Sequence, residues 1–178
     1  MNRVGEFEKV SFEQFYEAMK AEFYEEQKMT PGLLLDIEHS LKAIWEDVQL
    51  PSRATSGSAG YDFKAPFSFS LRAGDTIKIP TGIRVKIDDG WWLACLPRSG
   101  LGFKYRVALA NTCGVIDSDY YHSDNEGHIF VKLVNNGDKD LSVGAGDGFM
   151  QALFLPYGIT HSDSASAVRN GGMGSTGK

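Results

Sequence analysis

The spacing of hydrophobic and polar positions changes along this chain. Between residues 11 and 47 apolar side chains recur every three or four positions, as Phe12, Phe15, Tyr16, Met19 and Phe23, then Leu34, Ile37, Leu41, Ile44 and Trp45. This spacing predicts two amphipathic helices with acids on the outer side of the second. Ser11 followed three residues later by Gln14 is a capping-box spacing, and Thr30-Pro31 opens the second helix with proline at its first position. The first helix is expected to run to about Gln27. Ahead of it, residues 5–10 alternate enough for a short strand.

Beyond residue 50 the period is two. Residues 67–71 read Phe, Ser, Phe, Ser, Leu; Ala73-Gly74-Asp75 turns and residues 76–79 pair. Ile83, Val85 and Ile87 form an inward face before the Asp88-Asp89-Gly90 turn, and residues 91–96 return as the partner strand. Residues 114–120, read together with Ala110-Asn111, look like one arm of a hairpin, with Asp117 and Asp119 pointing the same way because strand side chains alternate. Ile129, Val131 and Leu133 mark another strand, and residues 144–148 turn into a last one at 149–155. Strands this short, punctuated this regularly, predict an all-β sandwich or jelly roll. From Tyr157 onward small and polar residues read as a mobile tail.

Composition narrows the function. The 178 residues are one domain's worth of chain, and 20 glycines suit many tight turns. The net charge of −5 is uneven, since the first fifty residues hold 11 acids against 5 bases. The remainder is near neutral, which excludes a broad basic face for nucleic acid and fits a small anionic ligand held by a few placed groups. Cys95 and Cys113 sit in apolar runs and read as buried free thiols, neither a metal site nor a disulfide framework. His122 and His128, in a polar loop, read as solvated. No apolar run follows the N-terminal basic residue, so a cytoplasmic protein without a signal peptide or membrane span is expected.

Five stretches hold the candidate chemistry: Ala59-Gly60-Tyr61-Asp62, Pro97-Arg98-Ser99-Gly100-Leu101, Ala110-Asn111 with Gly114-Val115-Ile116-Asp117-Ser118-Asp119-Tyr120, Gly146-Asp147-Gly148-Phe149-Met150-Gln151, and Gly171-Gly172-Met173-Gly174-Ser175-Thr176-Gly177. Arg-Ser-Gly with flanking glycines suits close approach of backbone to an anion, and the Asn111 amide can pair with both a donor and an acceptor of a base. In this order and spacing the stretches resemble the deoxyuridine triphosphate nucleotidohydrolase (dUTPase) family, over about residues 50–178. The resemblance implies a homotrimeric, dUTPase-like distorted jelly-roll barrel over residues 1–156, with the helical insertion at about 11–47. Residues 157–178 become a flexible Gly-rich lid. It also implies hydrolysis of dUTP to dUMP and pyrophosphate with Mg2+.

Residue by residue, the resemblance sets Asp62 against the waters of that magnesium. Arg98 braces the triphosphate, while Ser99 and the Gly100 amide, at the start of a helix, cradle the oxygens near the bond that breaks. Asn111, with hairpin backbone at Gly114 and Ile116, reads uracil. Asp117 touches the sugar 3′-hydroxyl and polarises the attacking water, and the ring of Tyr120 lies under the deoxyribose, leaving no room for a 2′-hydroxyl. Gln151 lies near the water and phosphates. From a tail that crosses to a site built by neighbouring subunits, Arg169, Ser175 and Thr176 contact the outer phosphates, and Met173, followed by Gly174, covers the base.

Three departures from the family pattern stand out. The hairpin tip after Tyr120 is longer, Gly148 replaces an arginine, and Met173 replaces a phenylalanine. Two rival functions remain open. A dCTP deaminase shares the fold but needs a catalytic glutamate on the strand after the hairpin, where this chain reads Ile129-Phe130-Val131-Lys132-Leu133. A regulatory binding protein would use the helical insertion to dock a protein partner.

Overall fold

The computed structural model describes residues 2–24 and 30–171. The helices form where the apolar period placed them. Helix α1 (Phe12–Phe23) starts at Ser11, whose hydroxyl accepts the Gln14 amide at 3.1 Å. The reciprocal half of the capping box comes from elsewhere: the Ser11 amide donates to the Glu126 carboxylate at 2.8 Å. The expected end at Gln27 lies outside the described residues, and α1 is capped at Tyr24. Helix α2 (Pro31–Asp47) starts with the Thr30 hydroxyl accepting the Leu33 amide at 3.3 Å. Its last turn has no basic residue, and Lys9 supplies the cation by donating to the carbonyls of Trp45 and Glu46 at 2.9 and 2.8 Å. Phe15, Met19, Ile37 and Leu41 bury themselves together with Val10, so the insertion has a small core of its own.

Among the described residues the strands form four antiparallel sheets. Strand β1 (Gly5–Lys9) pairs with β5 (Ile83–Ile87), and β3 (Phe69–Leu71) pairs with β10 (Leu141–Val143). Strands β4 (Thr76–Pro80), β9 (Phe130–Asn135) and β7 (Val107–Leu109) form a third sheet in that order. The fourth runs β2 (Tyr61–Lys64), β11 (Gly148–Pro156), β6 (Trp91–Pro97), β8 (Gly114–Ile116). Phe63, Ile79, Leu93, Leu133, Phe149 and Met150 fill the space between them. The architecture is mostly β and of the jelly-roll class.

Two pairings differ from the sequence expectation. β6 does not return against β5; β1 takes that edge, and β6 lies between β11 and β8. Leu93, Ala94 and Cys95 are buried in succession, as a central strand covered on both faces requires. Residues 114–120 are also not one strand: Thr112 adopts a left-handed φ of 68° after β7, which joins β9, and β8, which joins β6, is only three residues long. β8 ends at Ile116, and Asp117 begins a 3₁₀ turn over Ser118–His122, so Asp117 and Asp119 leave a turn rather than a strand. A short helix α3 (Ser99–Tyr105) follows β6, starting two residues ahead of the Leu101 at which the resemblance implies a helix.

Candidate functional site

The candidate residues gather in two places. The first is set by sheet register: Gln151 lies opposite Asp62 on one side and Leu96 on the other. Opposed residues share a face, and because Phe63, Met150 and Cys95 point into the core, Asp62 and Gln151 point away from it. β6 then delivers Arg98, whose Nε lies 3.1 Å from the Asp62 carboxylate and whose Nη1 donates to the Gly148 carbonyl at 3.0 Å. Gln151 donates to the Pro97 carbonyl at 3.4 Å. Ser99 and Gly100 form the first turn of α3, where backbone amides lack intrahelical partners.

Gly148 explains one departure from the family pattern. A Cβ there would lie 2.8 Å from the Arg98 Cζ, so the guanidinium fills the space a side chain would take. Gly148→Ala is therefore expected to leave the melting temperature nearly unchanged, because the end of a flexible side chain can yield. It should also push Arg98 off Asp62 and raise the KM for the triphosphate that the resemblance implies about ten- to hundredfold, the scale of one charge-assisted hydrogen bond. A KM unchanged by that substitution would show that the Arg98 position is not set by Gly148.

The second group lines a cavity of about 520 Å³. Asn111, Ile116, Tyr120 and Arg169 border it, with Val115 and Phe130. Gly114 lets β8 lie close on β6, since a Cβ there would fall 2.9 Å from that of Cys95. Arg169 crosses from the tail, donates to Asp117, reaches Asp119 at 2.8 Å, and sits 5.9 Å from the Tyr120 ring centroid. In the single chain the tail as far as Gly171 lies with Arg169 on Asp117 and Asp119, where two carboxylates draw the guanidinium. Tyr120 is 5% exposed, and burial raises its phenol above the ordinary pKa against smaller downward pulls from Asn125 and Arg169. Met173, Gly174, Ser175 and Thr176 lie outside the described residues.

The dUTPase family model matches residues 46–177. The chain belongs to the dUTPase family. It is 40% identical over 152 residues to a deoxyuridine 5′-triphosphate nucleotidohydrolase of Glaesserella parasuis, covering 81% of this chain and 97% of that one. A protein of the same description from Lactococcus lactis is 37% identical over 133 residues, 73% of this chain and 89% of its own. Among solved structures, the dUTPase from Streptococcus mutans aligns with a TM-score of 0.58 and 35% identity, covering 64% of this chain and 89% of that one. The enzyme is a dUTP diphosphatase.

In this dUTPase the two groups stand apart. Ile116 is registered with Leu93, so Asp117 projects past that pair, while Arg98 follows the opposite end of β6. At ~3.3 Å per residue the strand separates them by roughly 20 Å. Among the described residues no cluster of three or more His, Cys, Asp or Glu side chains could hold a metal ion, and no helix is long and apolar enough to cross a membrane.

Several side chains of this dUTPase sit where the local sequence does not place them. His128 is fully buried rather than solvated; its Nε2 accepts the Gly82 amide at 2.8 Å, and its ring packs against Phe130 and Phe15. That packing follows from the insertion, which brings Phe15 onto the Gly82 turn. Burial depresses the His128 pKa to about 3. Cys95 is buried as expected, its thiol pushed up to about 12, but Cys113 lies half-exposed in the turn before β8. Lys78 and Lys132 also line the cavity; they stand opposite each other on β4 and β9, a pairing no local pattern discloses.

Proposed function

We propose that this chain hydrolyses dUTP to dUMP and pyrophosphate by attack of water on the α-phosphorus, as a homotrimer whose sites each combine the two groups from different subunits. The observation that supports this is the separation along β6. The strand sets Arg98 and Asp117 roughly 20 Å apart along the backbone, which only a fully extended nucleotide would bridge within one chain, and a neighbouring copy can bring one group to the other. Asn111 pairs with the base above Gly114 and Ile116, and Tyr120 lies under the sugar. Asp117 orients the water and takes its proton as the bond from the α-phosphorus to the bridging oxygen breaks and pyrophosphate leaves. Arg98, Ser99 and the Gly100 amide hold the oxygens that gain charge, with Gln151 beside them.

The donor set fits magnesium that arrives on the triphosphate. Asp62 offers one outward carboxylate beside Arg98, enough for an ion that keeps most of its waters and bonds phosphate oxygens. When bound, the ion neutralises phosphate charge. Residues 157–178 act as the lid, and Arg169 must release Asp117 to engage phosphate. No acid lines the described cavity beside Phe130, Val131 and Lys132, which argues against deamination of dCTP.

Mixed refolding tests the shared site. Asp117→Asn and Arg98→Ala are each expected to be nearly inactive alone. Refolded together, they should regain activity, because some sites will pair an intact Asp117 from one chain with an intact Arg98 from another. A mixture no more active than its parts, with subunit exchange proven by mass, would place both groups in one chain's site.

A further inference from the structure

The lengthened tip after Tyr120 is tied both to the Tyr120 ring and to the start of α1. The Tyr120 hydroxyl donates to the His128 carbonyl at 2.8 Å and accepts from the Asn125 side-chain amide at 2.8 Å. Both partners belong to the tip. Glu126 adopts a left-handed φ of 58°, unfavourable for a residue with a side chain, and Gly127 follows at 70°, where a Cβ would fall 2.8 Å from the Tyr120 carbonyl. The Glu126 carboxylate receives both the amide and the hydroxyl of Ser11, at 2.8 and 2.6 Å. Ser11 is the N-cap of α1. His128, the other anchor, is held between Phe130, the Gly82 amide and Phe15 of the same helix.

We infer that the helical insertion and the tip together brace Tyr120, making Asn125 and Glu126 positioning residues for the choice of deoxyribose over ribose. A ring rejects an added hydroxyl only if it resists being pushed aside, since a pocket that merely lacks room discriminates weakly when its wall can move. Tyr120 is fixed at its phenolic end by two hydrogen bonds, so displacing the ring breaks both. Asn125 makes its bond only while Glu126 and Gly127, which follow it, keep their left-handed turn, and Ser11 holds that turn through Glu126. The insertion is thereby joined to substrate choice through five residues: Ser11, Glu126, Asn125, Tyr120 and His128.

This inference rests on the reading that Tyr120 lies under the sugar, and the test separates the two. kcat/KM is measured for dUTP and UTP in the wild type and in Tyr120→Ala, Tyr120→Phe, Asn125→Ala, Glu126→Ala and the double variant Tyr120→Phe/Asn125→Ala. The ratio of the two substrates within one preparation is unaffected by the fraction that folds. Asn125→Ala is expected to raise the UTP to dUTP ratio about fivefold, on the scale of one hydrogen bond, with Glu126→Ala moving it the same way. In the double variant the ratio should match that of Tyr120→Phe alone, because both changes remove the same bond. If Tyr120→Ala raises the ratio while Asn125→Ala and Glu126→Ala leave it at the wild-type value, the brace is refuted and the sugar contact stands. Effects of Tyr120→Phe and Asn125→Ala that simply multiply also refute it. An unchanged ratio in Tyr120→Ala overturns both the sugar contact and the brace. Should Glu126→Ala fail to fold, the cycle between Tyr120 and Asn125 decides.

Discussion

Asp117→Asn is expected to lower turnover by about 10² to 10⁴, the range typical of a lost general base, while dUTP still binds. The substitution keeps size and shape, and Asp117 makes no side-chain cap of the 3₁₀ turn it precedes, so local structure should persist. What disappears is the proton acceptor and half of the clamp on Arg169, which keeps its contact with Asp119. Pyrophosphate release under single-turnover conditions measures the chemical step, and calorimetry with dUTP measures binding. Near-normal turnover would remove Asp117 from the role of base. Loss of binding as well would mean that its charge serves substrate capture.

Acid should destabilise the fold through His128. Its folded pKa lies near 3 against an ordinary value of 6.5, and desolvation is the cause: Phe15 and Phe130 pack on the ring, and the Gly82 amide occupies Nε2. The unfolded chain therefore binds a proton as pH falls through 6.5, whereas the folded chain refuses it until about pH 3. Stability from this group is complete above pH 6.5 and is lost progressively below it, by about 1.4 kcal/mol per unit. Between pH 6.5 and 5 the loss is about 2 kcal/mol, and it approaches about 5 kcal/mol near pH 3. His128→Gln retains an oxygen that can accept the Gly82 amide but does not titrate. Denaturant midpoints at pH 7 and pH 5 should differ clearly in the wild type and much less in the variant. Equal shifts in both would assign the acid sensitivity to other groups.

The local pattern was sufficient for features that depend on near neighbours. The spacing of Leu34, Ile37, Leu41, Ile44 and Trp45 named the buried side of α2, and Ser11 and Thr30 named both helix starts. The alternation of Ile83, Val85 and Ile87 identified the inward face of β5. Five ordered motifs were enough for the family, because each reports a backbone turn or a placed functional group that a few adjacent residues specify. The same motifs single out Asp62, Arg98 and Gln151, and sheet register brings these three side chains together.

What remained was decided by segments far apart in the chain. An apolar strand accepts any partner with a free edge, so nothing within residues 91–97 disclosed that β6 would lie between β11 and β8 while β1 took β5. His128 sits in a polar stretch that reads as solvated. It is buried because α1, more than one hundred residues earlier, lays Phe15 against it, and burial depends on what arrives rather than on the neighbours in sequence. Arg169 read as a phosphate ligand, and only the folded chain shows it on Asp117 and Asp119, where opposite charge draws it. The separation of Arg98 from Asp117 has the same origin. Motif order places them nineteen residues apart in sequence, but the antiparallel return of β8 on β6 fixes them at opposite ends of one strand.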